Sequence, residues 1–156
     1  FTLTQSLEIL MEKYLPSPRQ WVADQVTLYE SSNGTQGTTY RNLPVIIVTN
    51  TGCQTGSVRK TPLMKVATGR SYLLIASRGG APTHPSWYYN LKANPAVTVQ
   101  DGSDTYCMHA REITSPEERQ RLWPIAVEAY PLYQDYQDNT DRLIPIFSAE
   151  PISLDH

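Results

Sequence analysis

The chain has 156 residues, of which 40% are hydrophobic and 18% are charged, and its formal net charge at pH 7 is −2. This length and composition predict one globular domain and exclude an intrinsically disordered chain. The negative charge disfavours a nucleic-acid-binding protein, and no apolar run approaches the roughly 20 residues of a membrane span. No secretory signal pattern is present, and the two cysteines, Cys53 and Cys107, have no metal-ligand spacing. This favours a reduced cytoplasmic protein, with one disulfide left open as the alternative.

Near the start of the chain, apolar residues recur at helical spacing, at Leu3, Leu7, Leu10, Met11 and Tyr14. This spacing predicts an amphipathic helix and linker over residues 1–20, ahead of a single domain at residues 21–156. The charges of the helix are mixed rather than basic. They favour docking on the core or on a partner over binding to an anionic membrane.

Short apolar segments between turn residues predict strands at 44–50, 61–67, 71–76, 96–100, 105–113 and 144–147. Tight turns at Thr68-Gly69 and at Asp101-Gly102 join two pairs of these strands as hairpins. A doubly wound parallel sheet would need long crossovers instead. The sequence therefore predicts a mainly β member of the α+β class, with an antiparallel sheet closing into a small barrel beside flanking helices.

Residues 77–95 combine the pair Gly79-Gly80 with three prolines and three adjacent aromatic residues. A glycine pair allows a sharp turn or a close approach of backbone to ligand. Pro85 suits the first turn of a helix, which Pro95 would stop. Two interpretations stay open: a wall for a flat ligand, or a glycine-rich connection to a helix that packs on the core.

A later helix begins at Ser115, whose position before Pro116 and Glu118 predicts an N-cap with a capping box. A break or a jog is predicted at Pro124 and again at Pro131, because proline cannot donate the helical hydrogen bond.

Three tyrosines follow at every third position: Tyr130, Tyr133 and Tyr136. Such spacing predicts one shared helix face. This face either lines a pocket for a flat acceptor or packs as an aromatic stripe on the barrel.

Five basic residues lie in or beside glycine-containing turns: Arg59, Lys60, Lys65, Arg78 and Lys92. The turn before Arg59 offers backbone N–H groups to an anion. It has neither the GxxxxGK[ST] spacing nor the GxGxxG spacing of nucleotide-binding motifs. The cluster is interpreted as a clamp for a phosphate or polycarboxylate tail, or as a solvated basic turn.

Residues for direct nucleophilic or metal chemistry are not grouped in the sequence. His109, on a strand, is interpreted as structural, and His84 remains open between a loop residue and a site residue. No GxSxG motif and no zinc spacing occurs. A stacking pocket with an anion clamp but no nucleophile indicates that a bound cofactor carries the chemistry.

Four segments closely resemble the deazaflavin-dependent nitroreductases of actinobacteria: VRKTPLMKV, LLIASRGGAPTHPSWYYNLKANP, VEAYPLYQDYQ and TDRLIPI. The resemblance spans roughly residues 43–147. It implies a split β-barrel related to FMN-binding flavoreductases. It also implies reduced coenzyme F420 (F420H2) as hydride donor to an electron-poor acceptor, such as a menaquinone-like quinone or a nitroaromatic or nitroimidazole compound.

The resemblance also implies roles for individual residues. The residues implied to bind the coenzyme are Arg59, Lys60, Thr61, Pro62, Lys65, Ala76, Ser77, Arg78, Gly79, Gly80, Ala81 and Trp87. Catalytic roles on the acceptor side are implied for Tyr133, Ser77, Tyr130 and Tyr136. Tyr133 is expected to matter most. Arg78 stands where the family commonly has lysine, which keeps the charge but changes its shape.

Two other functions remain open: an FMN-dependent reductase of the same superfamily, and a non-catalytic carrier of F420. A homodimer and peripheral contact of the first helix with the inner face of the cell membrane are further expectations.

Overall fold

The computed structural model describes Tyr14, residues 16–51 and residues 58–152. Its helices are α1 (Gln20–Ser31), α2 (Ser86–Ala93), α3 (Pro116–Ala129) and α4 (Leu132–Asp138), with one 3-10 turn at Arg78–Gly80. Its strands are β1 (Thr39–Tyr40), β2 (Leu43–Thr51), β3 (Val58–Met64), β4 (Ala67–Thr68), β5 (Ser71–Ile75), β6 (Ala96–Asp101), β7 (Asp104–Glu112) and β8 (Ile146–Pro151). Apart from Tyr14, the predicted N-terminal helix lies outside the described residues, as does Cys53.

The strands form one antiparallel sheet that closes on itself. Neighbouring strands follow the order β1-β2-β6-β7-β8-β5-β4, and β3 pairs with β2. Because β3 runs on through Lys65 and Val66 into β4, which pairs with β5, the two edges of the sheet are joined. The predicted antiparallel barrel with flanking helices is confirmed.

Successive side chains along each strand point to opposite faces of the barrel, so the core is divided into two clusters. Ile46 and Val48 of β2 belong to an inner cluster that also takes in residues of β5, β6, β7 and β8 and is closed by Trp87 and Leu91 of α2. Val45 and Ile47 belong to an outer cluster that also takes in residues of α1, α3 and α4. Tyr130, Tyr133 and Tyr136 therefore pack on the outer face of the barrel.

Strand boundaries differ from the predictions where pairing overrides local turn signals. β3 begins at Val58, so Arg59 and Lys60 lie on a strand that pairs with β2 and not in a turn. The strand predicted at 61–67 is divided between β3 and β4, and the turn after β4 centres on Gly69, at φ +61°. β8 begins two residues after its predicted start at 144 and extends to Pro151. The hairpin turn between β6 and β7 is confirmed.

Helix α1 was not predicted from the sequence. It buries Val26 and Tyr29 against the outer face of the barrel. The Tyr29 hydroxyl accepts a hydrogen bond from the Gly102 N–H at 2.7 Å and donates to the Val45 carbonyl at 3.1 Å. These contacts fasten α1 to both β2 and the β6–β7 turn.

The structure agrees with the predicted start and end of α3 but not with an interruption in its middle. The Ser115 hydroxyl accepts from the Glu118 N–H at 3.3 Å, which confirms the N-cap, whereas the Glu118 carboxylate binds Arg111 and does not complete the capping box. Pro124 does not break α3, which continues to Ala129 with Leu122 and Ala126 both buried. The break at Pro131 is confirmed by the extended backbone of Tyr130.

Helix α2 begins with Pro85 as its N-cap, one residue ahead of the predicted first turn, and ends at Ala93, before Pro95. Among the described residues, no helix is both long enough and apolar enough to cross a membrane.

Candidate functional site

A cavity of about 770 Å³ lies on the outer face of the barrel. Its walls come from β3, α1, the turn after β5, the start of α2 and the tyrosine segment, residues 130–136. It is lined by many residues that the sequence singled out: Lys60, Thr61, Pro62, Ser77, Arg78, Gly79, Trp87, Tyr130, Tyr133 and Tyr136. Its volume lies within the range of about 300–1,000 Å³ that is usual for small-molecule sites.

The three tyrosines form one cluster although they do not share one helix. Tyr130 is the C-cap residue of α3, whereas Tyr133 and Tyr136 lie on α4 after Pro131. The ring centroid of Tyr130 is 4.9 Å from that of Tyr133 and 6.1 Å from that of Tyr136. The hydroxyls of Tyr130 and Tyr136 are hydrogen-bonded at 3.0 Å. The turn at Pro131 thus gathers three rings that were predicted to share one helix face.

Burial raises the pKa of two of these phenols above its ordinary value. Tyr130 and Tyr133 are each 4% exposed. Burial is the main cause that raises the pKa of both, and for Tyr130 the hydrogen bond with Tyr136 adds to it. No hydrogen bond links the Tyr133 hydroxyl to another described residue. It is therefore a neutral donor left available to a ligand.

The turn after β5 is held in an uncommon backbone conformation. Arg78, Gly79 and Gly80 have φ values of +46°, +63° and +81° in succession. A Cβ at Gly80 would lie 2.9 Å from the Tyr136 carbonyl oxygen, so only glycine allows this turn to pack on α4. A Cβ at Gly79 would meet no atom within 4 Å. The turn thus packs tightly against the tyrosine segment at Gly80 and stays open at Gly79, which lines the cavity.

The predicted basic cluster is divided by the strand geometry. Lys60 lines the cavity, forms a 2.8 Å ion pair with Glu30 and lies 4.6 Å from the centre of the Tyr14 ring. Arg59, one residue earlier on β3, does not line the cavity. Among the five predicted basic residues, only Lys60 and Arg78 line it.

Lys65 and Lys92 are engaged elsewhere. Lys65 forms a 2.9 Å ion pair with Asp101, whose carboxylate also accepts from the Tyr72 hydroxyl at 2.7 Å. Lys92 pairs with Glu112 at 3.0 Å. The structure does not bring Lys65 to the cavity, since its ammonium group pairs with Asp101 next to the β6–β7 turn.

Three of the predicted residues lie behind the cavity lining. Ala76 is fully buried, Gly80 packs on α4, and the Ala81 carbonyl accepts a hydrogen bond from Arg142. Arg142 was not predicted as a site residue. It also contacts His84, which lines the cavity, whereas His109 is exposed on β7.

The residues of α1 at the cavity were also missed, because that helix was not predicted. Trp21, Val22 and Gln25 line the cavity together with Tyr40. The rings of Trp21 and Tyr40 are stacked with centroids 5.7 Å apart. Apolar residues at the helical spacing 22, 26 and 29 are the weak local signal of this wall.

Comparison with solved structures places this geometry among related proteins. An F420-H2 dependent reductase (FDR-A) is 51% identical, with a TM-score of 0.65 over 69% of this chain and 94% of that one. A protein solved as a domain-swapped dimer is 46% identical, with a TM-score of 0.67 over 86% of this chain and all of that one. A Listeria innocua protein described as a pyridoxamine 5′-phosphate oxidase is 13% identical with a TM-score of 0.51, which shows the shared split-barrel fold alone.

The sequence comparisons agree with this placement. The F420H(2)-dependent quinone reductase Rv1261c of Mycobacterium tuberculosis is 35% identical over 122 residues, which are 76% of this chain and 82% of that protein. The model of the F420H(2)-dependent quinone reductase family matches residues 21–151. The chain belongs to the F420H(2)-dependent quinone reductase family.

Proposed function

We propose that the cavity binds coenzyme F420 against the turn at residues 77–79 and that a quinone accepts a hydride on the tyrosine side. Family membership supplies the F420-dependent oxidoreductase class, and the acceptor and the residue roles are the proposal. The observation that carries it is the placement of a glycine turn and three tyrosines around one cavity of about 770 Å³.

The cavity fits a flat ring with an anionic tail. Gly79 lines the cavity without protein atoms within 4 Å of its missing Cβ, which allows a ring to approach the backbone. The αR conformation of Ser77 followed by the left-handed Arg78 is typical of anion-binding backbone nests. Lys60, Arg78 and Arg19 supply cationic side chains for a phosphate and glutamate carboxylates.

The residues around the acceptor would act as hydrogen-bond donors. When bound, F420H2 supplies the hydride. A quinone that receives it gains negative charge on oxygen and takes up a proton to become a hydroquinone. Because burial raises its pKa, Tyr133 is a poor source of that proton but a persistent O–H donor to the developing oxyanion. Ser77 offers a second hydroxyl at the cavity, and solvent supplies the proton.

The same donors suit the oxygens of a nitro group, so nitroaromatic and nitroimidazole compounds are proposed as additional acceptors. The aromatic walls formed by Trp21, Tyr40 and the tyrosine cluster suit stacking with the flat ring of either acceptor class.

The test is oxidation of F420H2 by the purified protein, followed by visible absorbance, with menadione, with a nitroimidazole and without acceptor. We expect menadione-dependent oxidation. Tight F420 binding without turnover of any acceptor would support the carrier alternative. Binding of FMN without binding of F420 would support the FMN-dependent alternative.

Replacing Lys60 with methionine is expected to weaken F420 binding about tenfold, with little change in kcat, since a charge-assisted contact to the anionic tail is worth roughly 1.5–3 kcal/mol. Titration of F420 binding at two salt concentrations measures the effect, and the salt dependence should fall in the variant.

Lys65→Met is the matched control for Lys60→Met. Lys60→Met removes the ion-pair partner of Glu30, and Lys65→Met removes that of Asp101. Equal losses of F420 affinity in the two variants would refute a specific role for Lys60.

A homodimer, a cytoplasmic location and peripheral membrane contact are further proposals. The dimer is supported by the relative that was solved as a domain-swapped dimer. Sedimentation velocity tests the dimer, and flotation with liposomes, with and without residues 1–20, tests the membrane contact.

A further inference from the structure

Arg142 binds the backbone on the inner side of the cavity-lining turn. Its Nε donates to the Ala81 carbonyl at 2.8 Å, its Nη1 to the Ala76 carbonyl at 3.1 Å and its Nη2 to the Ser77 carbonyl at 2.6 Å. No carboxylate of the described residues forms an ion pair with it. Three backbone carbonyls thus accept hydrogen bonds from this half-buried guanidinium. These bonds fix the shape of the turn.

The same guanidinium determines where His84 carries its proton. Nη1 of Arg142 lies 2.9 Å from Nδ1 of His84. Arginine only donates hydrogen bonds, so Nδ1 must accept, and the proton of the neutral ring must be on Nε2. His84 lines the cavity, and within the described part of the chain its Nε2 has no hydrogen-bond partner.

We propose that Arg142 is a positioning residue that fixes the turn at residues 76–81 and holds His84 as the neutral Nε2–H tautomer. His84 then offers an N–H donor to a negatively charged oxygen bound in the cavity, on either the coenzyme or the acceptor. The identity of the ligand in this proposal rests on the proposed function. The tautomer of His84 does not depend on it.

The charges around His84 favour the neutral ring. Burial, and then the positive charge of Arg142, lower the pKa of His84 below 6.5, and Glu112 of β7 opposes them. The rings of Tyr88 and Tyr89 on α2 lie 4.3 Å and 6.1 Å from the imidazole. Arg78, on the turn, adds positive charge near Arg142. Loss of Arg142 should therefore raise the pKa of His84.

The first experiment records long-range ¹H–¹⁵N spectra of the histidine rings between pH 5 and 8. We expect His84 of the native protein to show the Nε2–H tautomer and to titrate below the ordinary imidazole pKa of about 6.5. In Arg142→Met, both tautomers should be populated and the titration should move to higher pH. A native His84 with its proton on Nδ1, or with an unshifted titration, would overturn the proposal.

Arg119→Met is the matched control in this experiment. Arg119 is also partly buried and donates to the Ile144 carbonyl and to the Gln137 side chain, whose amide donates in turn to the Arg142 carbonyl at 2.8 Å. Its loss therefore loosens the surroundings of Arg142 but keeps the Arg142 guanidinium. Its replacement should leave the His84 spectrum unchanged. If it alters that spectrum as much as Arg142→Met does, the effect is a general loosening and the proposal is wrong.

The second experiment keeps Arg142 and changes His84. His84→Leu should lower kcat/KM about 10- to 100-fold, as expected for loss of a hydrogen bond to a charged group, and His84→Gln, which retains an N–H donor, should restore part of it. A raised F420 Kd would assign the donor to the coenzyme, and a change in kcat or in the KM for menadione alone would assign it to the acceptor. Values within twofold of the native protein for all of these would overturn the donor role.

The two experiments separate failure of this proposal from failure of the proposed function. The ring spectra need neither coenzyme nor acceptor. A protein that shows the expected tautomer but does not oxidise F420H2 would refute the proposed function and leave the role of Arg142 toward His84 intact.

Discussion

Replacing Gly80 with alanine is expected to lower the free energy of unfolding by about 2–4 kcal/mol and to abolish measurable F420 binding. The residue has φ +81°, which alanine adopts only at a cost of about 1–2 kcal/mol. The added Cβ would also lie 2.9 Å from the Tyr136 carbonyl oxygen and 3.1 Å from its Cα, both of them backbone atoms that cannot rotate away. The turn and α4 would have to separate, and the cavity between them would change shape.

Gly79→Ala is the control for Gly80→Ala at the adjacent position. Gly79 also has a positive φ, +63°, but its Cβ would meet no protein atom within 4 Å. We expect a loss of only about 1–2 kcal/mol in unfolding free energy. Chemical denaturation measures both variants. A Gly80→Ala protein as stable as Gly79→Ala would contradict the packing of the turn on α4.

The same pair also tests where the coenzyme lies. If the ring approaches the backbone at Gly79, Gly79→Ala should weaken F420 binding even though the variant remains folded. Unchanged affinity in a folded Gly79→Ala protein would place the ring elsewhere in the cavity.

The barrel could be predicted from the sequence because its signals are local. Period-two alternation and tight turns such as Asp101-Gly102 indicate antiparallel neighbours without knowledge of the distant pairs. The start of β3 was missed because Arg59 and Lys60 have little strand preference of their own. They are extended because β2 supplies a pairing edge.

Helix α1 illustrates a different failure. Its buried residues, Val26 and Tyr29, are few, and the large exposed Trp21 obscures the amphipathic pattern. Much of its stabilisation comes from Tyr29, which binds atoms of Val45 and Gly102, far away in the sequence. No window of local sequence contains that information.

For the site, resemblance and spacing located the glycine turn and the tyrosines, but neither gives the direction of a side chain. Lys65 was grouped with Lys60 because they are close in sequence, but its side chain pairs with Asp101 instead. Arg142 could not be recognised as part of the site because its four partners lie between residues 76 and 84, about 60 positions earlier.

Tyr133→Phe is expected to lower kcat for menadione about 100-fold while leaving F420 affinity and stability nearly unchanged. Among the described residues, the Tyr133 hydroxyl has no hydrogen-bond partner, so its removal should alter the free energy of unfolding by no more than about 0.5 kcal/mol. Removal of a donor to a developing oxyanion typically costs about 10²–10³ in kcat. Because that bond strengthens as charge develops on the acceptor, the loss should be in kcat rather than in KM.

Tyr130→Phe and Tyr136→Phe are the comparison that isolates the role of Tyr133. Each removes one partner of the 3.0 Å bond between the two hydroxyls, so each should cost about 1 kcal/mol of stability. Neither should match the fall in kcat, because these hydroxyls are already engaged with each other. Steady-state kinetics and chemical denaturation of the three variants decide the question. A Tyr133→Phe enzyme with native kcat, or a larger loss in either comparison variant, would move the donor role away from Tyr133 to the Tyr130–Tyr136 pair or to Ser77.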